Sequence, residues 1–206
     1  MSWLFAQWYG LITRRESPAM RETRAQLVQG LRGAILEVGV GSGRNLPLYD
    51  AAAHVTAVDY NRHMLPKAAA RIGDAQAGVD LPVASVEALP FADDHFDHSV
   101  AGLVFCSVGD PAQGLRELVR VTRPGGEIRL WEHVAAAPGW TRRAQQTLNP
   151  FWSRLGDGCR LDRDTVGLVE AVGLVIDEVL PVRGLPRLLP ARLICARAPR
   201  GDADRA

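Results

Sequence analysis

A twelve-residue run, A-I-L-E-V-G-V-G-S-G-R-N from Ala34 to Asn45, limits this chain more than any other stretch. Ile35 to Val38 suit a buried strand with one acid, Glu37, set among them, and they lead straight into glycines at alternate positions, Gly39, Gly41 and Gly43. Glycine adopts backbone conformations closed to other residues, and at the mouth of a helix it lets a ligand approach bare N–H groups. The run therefore predicts a strand, a glycine turn and a ligand cradle in succession. Glycine turns also serve tight packing, so the cradle needs a second feature to support it.

That feature is Asp59, at the end of the next apolar run, Val55 to Val58. A carboxylate at the tip of the second strand of a βαβ unit is placed to accept both hydroxyls of a ribose. The dinucleotide fingerprint G-x-G-x-x-G fails in both registers, because Arg44 or Leu46 stands where its third glycine belongs. The pair thus reads as a nucleoside site with no strong demand for a pyrophosphate. S-adenosylmethionine (SAM) is such a ligand.

Strand and helix signals alternate along the rest of the chain. Ser17-Pro18 predicts a helix start, with the helix reaching Leu31, and Asn61 is expected to cap a helix running to Arg71. Pro47 keeps the segment Asn45 to Tyr49 short. Strands are expected at His54 to Asp59, Leu81 to Ser85, Phe96 to Phe105 and Glu127 to Val134. Asp110-Pro111 opens a helix with Leu115, Leu118, Val119 and Thr122 on one face. A helix from Asp162 to Val172 and strands over Leu174 to Leu180 and Arg192 to Ala198 complete the pattern. Such alternation predicts an α/β fold with right-handed crossovers and a site at the carboxyl ends of parallel strands.

Four ordered segments also carry a resemblance. E-x-G-x-G-x-G from Glu37, D-Y-N-R-H-M-L from Asp59, E-A-L-P-F-A-D-D-H-F-D from Glu87 and R-V-T-R-P-G-G from Arg120 resemble class I SAM-dependent methyltransferases of the ubiquinone-biosynthesis type, over about Gly33 to Val134. The resemblance implies a Rossmann-like, doubly wound, mostly parallel seven-stranded sheet with helices on both faces and an antiparallel strand near the C-terminus. It implies one domain over residues 1–206, with SAM as donor and S-adenosylhomocysteine as product. Cofactor contacts are then expected from Glu37, Gly39, Gly41, Gly43, Asn45, Asp59, Ala101 and Leu103, with Tyr60 and Met64 flanking the adenosine. A plain core role is the alternative for Met64. Ser85 stands where the family has an Asp that meets the adenine amino group, so that contact is expected to pass to backbone at Val86 and Glu87.

From Glu132 onward, E-H-V-A-A, Trp140, Gln145-Gln146, Trp152 and D-G-C from Asp157 resemble the thiol S-methyltransferase branch, the methyltransferase-like 7 group. C-S-V at Cys106 and the departure at Ser85 match that branch too. It implies a lipophilic thiol acceptor and makes residues 135–160 a substrate-side insert. The G-V-G-S-G loop also resembles bacterial phosphatidylethanolamine N-methyltransferases, which keeps a lipid amine open. O-methylation of a small molecule and a SAM-binding module without catalysis are further alternatives.

A net charge of +1 leaves no basic footprint for nucleic acid. Three cysteines, Cys106, Cys159 and Cys195, form no C-x-x-C pair and favour a reducing compartment, and no apolar run reaches membrane-spanning length. A cytoplasmic protein is expected, with membrane association open. Residues 1–15 are dense in large apolar side chains, among them Leu4, Trp8, Leu11 and Ile12 on one helical face, followed by Arg14 and Arg15. A flap formed with the rest of residues 1–31, peripheral membrane contact and simple packing remain open for them. Nothing indicates an oligomeric state.

Methyl transfer from a sulfonium is an in-line displacement, in which positioning and exclusion of water supply most of the acceleration. No metal is expected, because His54, His63, His95, His98 and His133 lack ligand spacing. A thiol of pKa about 8.5 is already partly ionised at neutral pH and needs light assistance. His133, at the carboxyl end of its strand, is the first candidate to steer or deprotonate an acceptor; a loop-bonded histidine is the alternative. Cys106 either lines the acceptor pocket or packs on the sheet, and Asp157 and Cys159 follow as candidates. Trp131, Trp140 and Trp152 offer apolar walls.

Overall fold

The computed structural model describes residues 16–156 and 158–200, so the aromatic N-terminal stretch and Asp157 lie outside the described residues. One seven-stranded sheet organises the rest, in the order β3-β2-β1-β4-β5-β7-β6. The strands are β1 (Gly33–Val38), β2 (Ala53–Val58), β3 (Gly78–Asp80), β4 (His98–Gly102), β5 (Glu127–His133), β6 (Val175–Pro181) and β7 (Ala191–Arg197). The first five are parallel, and β7 runs antiparallel between β5 and β6. The helices are α1 (Pro18–Val28), α2 (Leu65–Ala69), α3 (Pro111–Val121), α4 (Trp140–Leu155) and α5 (Thr165–Ala171).

The central strands are apolar on both sides, so successive residues feed two cores. Leu36, Ala101 and Leu130 join Leu115 and Leu118 of α3 and Val169 of α5 in one. Ile35, Val100 and Trp131 join Leu27 and Val28 of α1 in the other. Helix starts follow their capping chemistry: Ser17 Oγ accepts from the Met20 N–H at 3.2 Å, Asp110 from Gln113 at 2.9 Å, and Asp164 from Gly167 at 3.1 Å.

Several boundaries differ from expectation. The third strand lies before Leu81 to Ser85, over Gly78–Asp80, where it pairs with His54, Val55 and Thr56. Pro82 has no N–H for a ladder, and of the expected stretch Val83 meets Asp59 only as an isolated bridge. β4 is shorter than Phe96 to Phe105, because Leu103 takes a φ of 60° and turns the chain out of the sheet. The helix expected from Asn61 reduces to the five residues of α2, and Asn61 Oδ1 accepts instead from the His63 N–H at 3.1 Å. Three residues of 3₁₀ helix, Leu46–Leu48, carry the crossover that Pro47 was expected to shorten.

Candidate active site

At the carboxyl end of β1 the glycine turn rises over Glu37, which is 2% exposed. Its carboxylate accepts from Asn45 Nδ2 at 2.9 Å and the Tyr49 hydroxyl at 3.0 Å. Asn45 Oδ1 accepts in turn from the Arg24 guanidinium at 2.9 Å, and Arg24 is ion-paired to Glu16 and lies 5.0 Å over the Trp131 ring. Burial pushes the Glu37 carboxyl up to about 7, against the pull of its two hydrogen bonds and the Arg24 charge. A pocket opens above this network, lined by Arg24, Glu37, Asn45, Gly102 and the turn from Gly39 to Ser42.

The three glycines do different jobs. All have positive φ, at 68°, 55° and 72°. A Cβ on Gly39 would stand 2.3 Å from Val104 Cγ2, and one on Gly43 would stand 2.8 Å from Ala68 Cα, so both are demanded by packing. Gly41 has ordinary room, with Met64 Cε 3.7 Å from the Cβ position. It is the glycine with space above its backbone.

Asp59 sits one residue beyond β2 and binds backbone on both oxygens, accepting from Gly41 at 3.0 Å and Asn61 at 2.8 Å. Met64 is buried against the turn and Tyr60 is exposed. Val86 packs on Gly114 of α3, while Glu87 Oε1 accepts from the Asp110 N–H at 2.6 Å. Ala101 belongs to the core, and its neighbour Gly102 reaches the pocket. The Leu103 N–H donates to the Trp131 carbonyl at 2.6 Å. Asn61 Nδ2 is buried beside Asp59 without a partner.

A second buried acid, Glu132, stands at the carboxyl end of β5 and is 0% exposed. It accepts three successive N–H groups of the loop after β4: Val104 at 2.8 Å, Phe105 at 2.9 Å and Cys106 at 3.0 Å. Burial pushes it up to about 7 despite those bonds. Arg163 braces the same loop by donating to the carbonyls of Phe105 and Val108.

On this loop the cysteines meet the histidine. Cys159 Sγ is 3.7 Å from His133 Nδ1, and Cys106, His133 and Cys159 present ligand atoms that all lie within 4.8 Å of one another. The contact between the thiols draws the Cys159 thiol down, and the same contact together with burial drives Cys106 up. His133 and the Trp152 indole N–H, which has no conventional acceptor among the described residues, lower the Cys159 thiol further.

Cys159, a lesser candidate in the sequence, therefore joins the two leading ones. Trp152 packs on this cluster, whereas Trp131 is buried on the other face under Arg24 and Trp140 is largely exposed. Arg24, Tyr49, Asn61 and Glu132 were not singled out from the sequence. For Glu132 a signal existed: an acid inside an apolar strand, the same oddity that marks Glu37.

Comparison with known proteins bears on this geometry. Residues 36–130 match the family model described as a methyltransferase domain. Human thiol S-methyltransferase TMT1B is 35% identical over 167 residues, covering 75% of this chain and 68% of that protein. Phosphatidylethanolamine N-methyltransferase of Cereibacter sphaeroides is 34% identical over 143 residues, covering 68% and 70%. Among solved structures, the N-methyltransferase NodS of Bradyrhizobium japonicum with S-adenosyl-L-homocysteine superimposes with a TM-score of 0.69 at 18% identity, covering 89% of each chain. That likeness speaks for the fold.

Proposed function

Because the chain belongs to the class I SAM-dependent methyltransferases, on the branch that carries the thiol S-methyltransferases, we propose that it methylates the sulfur of a small lipophilic thiol. The observation that carries this reading is the gathering of two thiols and an imidazole, Cys106 from the loop that follows Gly102 of the donor pocket, His133 from the end of β5 and Cys159 from the turn after α4.

SAM supplies the methyl group already activated on a sulfonium. The chain's residues fit such a donor: Asn61 Nδ2 is a buried donor next to Asp59 without a partner among the described residues, and Gly41 lines the pocket with no side chain in the way. Asp59 takes the ribose hydroxyls, and the pocket of Arg24, Asn45 and Gly102 receives the amino-acid end. Glu37 and Gly39 hold the turn in shape, with Gly43 behind it. Tyr60, Met64 and the backbone at Val86 and Glu87 surround the adenine, while Ala101 and Leu103 support the pocket from the end of β4. On the acceptor side Glu132 holds Cys106 in place, and His133 with Cys159 steers the incoming thiol or takes its proton. Asp157, two residues before Cys159 in the sequence, is proposed for the same side. A reducing, cytoplasmic setting would keep these sulfurs as thiols.

One described feature favours the second reading, a phospholipid amine as acceptor. Trp140, Leu148, Phe151 and Leu155 are exposed along α4, whose sequence contains Arg142, Arg143 and Arg154 and no acid. Such a helix suits a lipid surface, and contact through residues 1–15 belongs with it. No helix among the described residues is long and apolar enough to cross a membrane. Incubating the pure protein with labelled SAM and a panel of thiols, phenols and phospholipids separates the readings. Transfer to thiols is expected, and transfer to phospholipid alone would overturn it.

A further inference from the structure

We propose that Cys106, His133 and Cys159 form a three-ligand site for a zinc ion, with the fourth position left open for the acceptor's sulfur. The metal site stands on geometry alone; the use of its open position rests on the thiol reading above.

Zinc prefers thiolate and imidazole donors in a tetrahedron, and sites of two cysteines and one histidine with an open position are its catalytic form. With Zn–S near 2.3 Å and Zn–N near 2.0–2.1 Å, a tetrahedral S···N edge is about 3.6 Å. The observed Cys159 Sγ to His133 Nδ1 separation is 3.7 Å, and the whole trio fits within 4.8 Å. The expectation of no metal came from spacing along the chain. These ligands come from the loop after β4, the last residue of β5 and the turn after α4, so no local spacing could announce them.

The backbone that carries the trio is held on every side. The Cys106 N–H is held by Glu132 at 3.0 Å, and its carbonyl accepts from Arg160 at 2.8 Å. The Cys159 N–H donates to Gly156 at 3.0 Å in a turn whose Gly158 takes a φ of 86° and abuts the Ser107 carbonyl. His133 pairs with Ala191 in the β5–β7 ladder. Both cysteines are buried while His133 is half-buried, which leaves an approach on the imidazole side.

Coordination would serve the reaction directly. A thiol that binds zinc gives up its proton, here to solvent, and is held as a thiolate. Its sulfur then forms the new S–CH₃ bond as the donor's C–S⁺ bond breaks, and the electron pair of that bond stays on the sulfur of S-adenosylhomocysteine. The neutral thioether is a poorer ligand than the thiolate and leaves the metal. With metal bound, His133 and Cys159 act as ligands, and no side chain need serve as base.

The test loads the full chain with Zn²⁺ or Co²⁺ under reducing conditions, removes excess metal and counts what remains. One metal per chain is expected, with a sulfur-to-cobalt charge-transfer band. Cys106→Ser and Cys159→Ser should each lose it by tenfold or more in affinity, and Cys195→Ser should keep it. Mapping alkylated cysteines by mass spectrometry in the parent protein guards against misfolded variants: Zn²⁺ should shield Cys106 and Cys159 and leave Cys195 unshielded. Substoichiometric metal, a cobalt spectrum without the thiolate band, or equal alkylation with and without Zn²⁺ would overturn the site. Thiol methylation by protein that holds no metal would remove the catalytic role of the open position and leave the proposed function intact. Likewise, a cobalt spectrum that a small thiol does not perturb would remove the role of the open position alone.

Discussion

The donor and acceptor sides of this protein are built around the same device, a glutamate buried at the end of a central strand, and they satisfy it in opposite ways. Glu37 takes its hydrogen bonds from side chains eight and twelve residues away, Asn45 and Tyr49, with the Arg24 charge behind them. Glu132 takes its three from backbone N–H groups 26 to 28 residues away. Side-chain donors can re-aim when their acceptor changes, whereas backbone donors fixed between a strand and a helix cannot. The glycine turn is thus shaped chiefly by its own neighbourhood, and the cysteine loop is held from across the sheet.

The largest expected effect tests that contrast. Glu132→Ala would strand three N–H groups, each orphan costing about 1–3 kcal/mol, so a loss of about 3 kcal/mol or more is expected in urea unfolding. Glu37→Ala should cost less, because Asn45 and Tyr49 can find water or one another. The pH dependence has a definite sign. Both carboxyls are raised from 4.5 to about 7, so between those values the folded state keeps a proton that the unfolded chain releases. The contribution of these two groups should be fullest below pH 4.5 and fall as pH rises towards 7, by about 3 kcal/mol per group at most. Glu132→Gln should remove roughly half of that slope, and an unchanged slope would show that the carboxyl is not so held.

Asp59→Ala addresses the donor side alone. Losing two charge-assisted hydrogen bonds to a ribose is worth about 3 kcal/mol, or about 100-fold in affinity for S-adenosylhomocysteine by calorimetry. Glu132→Gln should leave that affinity within a few-fold. Equal weakening by both variants would mean the two sides are not separable.

The same asymmetry explains what could be read from the residues. Glu37, the glycines and Asp59 form a pattern because their contacts are short-range or set by one βαβ unit. Cys106, His133 and Cys159 were each readable as candidates, but nothing along the chain showed that they meet, since they do so only once β4, β5 and the turn after α4 are assembled. Asn45 was readable as part of the turn, but its link to Arg24 depends on α1 packing across β4 and β5. Gly102, which lines the pocket, was not named, because the chain leaves the strand at Leu103 with positive φ, a detail that no apolar run discloses. The misplaced third strand has a simpler cause, since Leu81 and Val83 look like strand residues and Pro82 between them forbids the ladder.

His133→Asn probes the acceptor side with a smaller expected effect. An amide keeps some hydrogen bonding but can neither accept a proton near neutral pH nor replace the ring beside Cys159. A tenfold fall in kcat for a thiol acceptor is expected, about 1.4 kcal/mol, with S-adenosylhomocysteine affinity unchanged. A matched fall in donor affinity would place His133 on the other side of the divide.

Gly41→Ala should have the smallest effect on stability and sharpens the comparison within the donor side itself. Its neighbours Gly39 and Gly43 would drive a Cβ into Val104 or Ala68, so alanine there confuses packing with binding. At Gly41 the added methyl meets Met64 at an ordinary 3.7 Å, which leaves only the positive φ to resist it. That conformation costs an L-residue about 1 kcal/mol, and the unfolding midpoint should shift accordingly. A ligand resting on the Gly41 backbone would meet the methyl as well, so donor affinity should fall by more than this strain explains. If stability drops by about 1 kcal/mol while affinity holds, the donor does not lie against Gly41, and the turn serves Asp59 rather than the ligand.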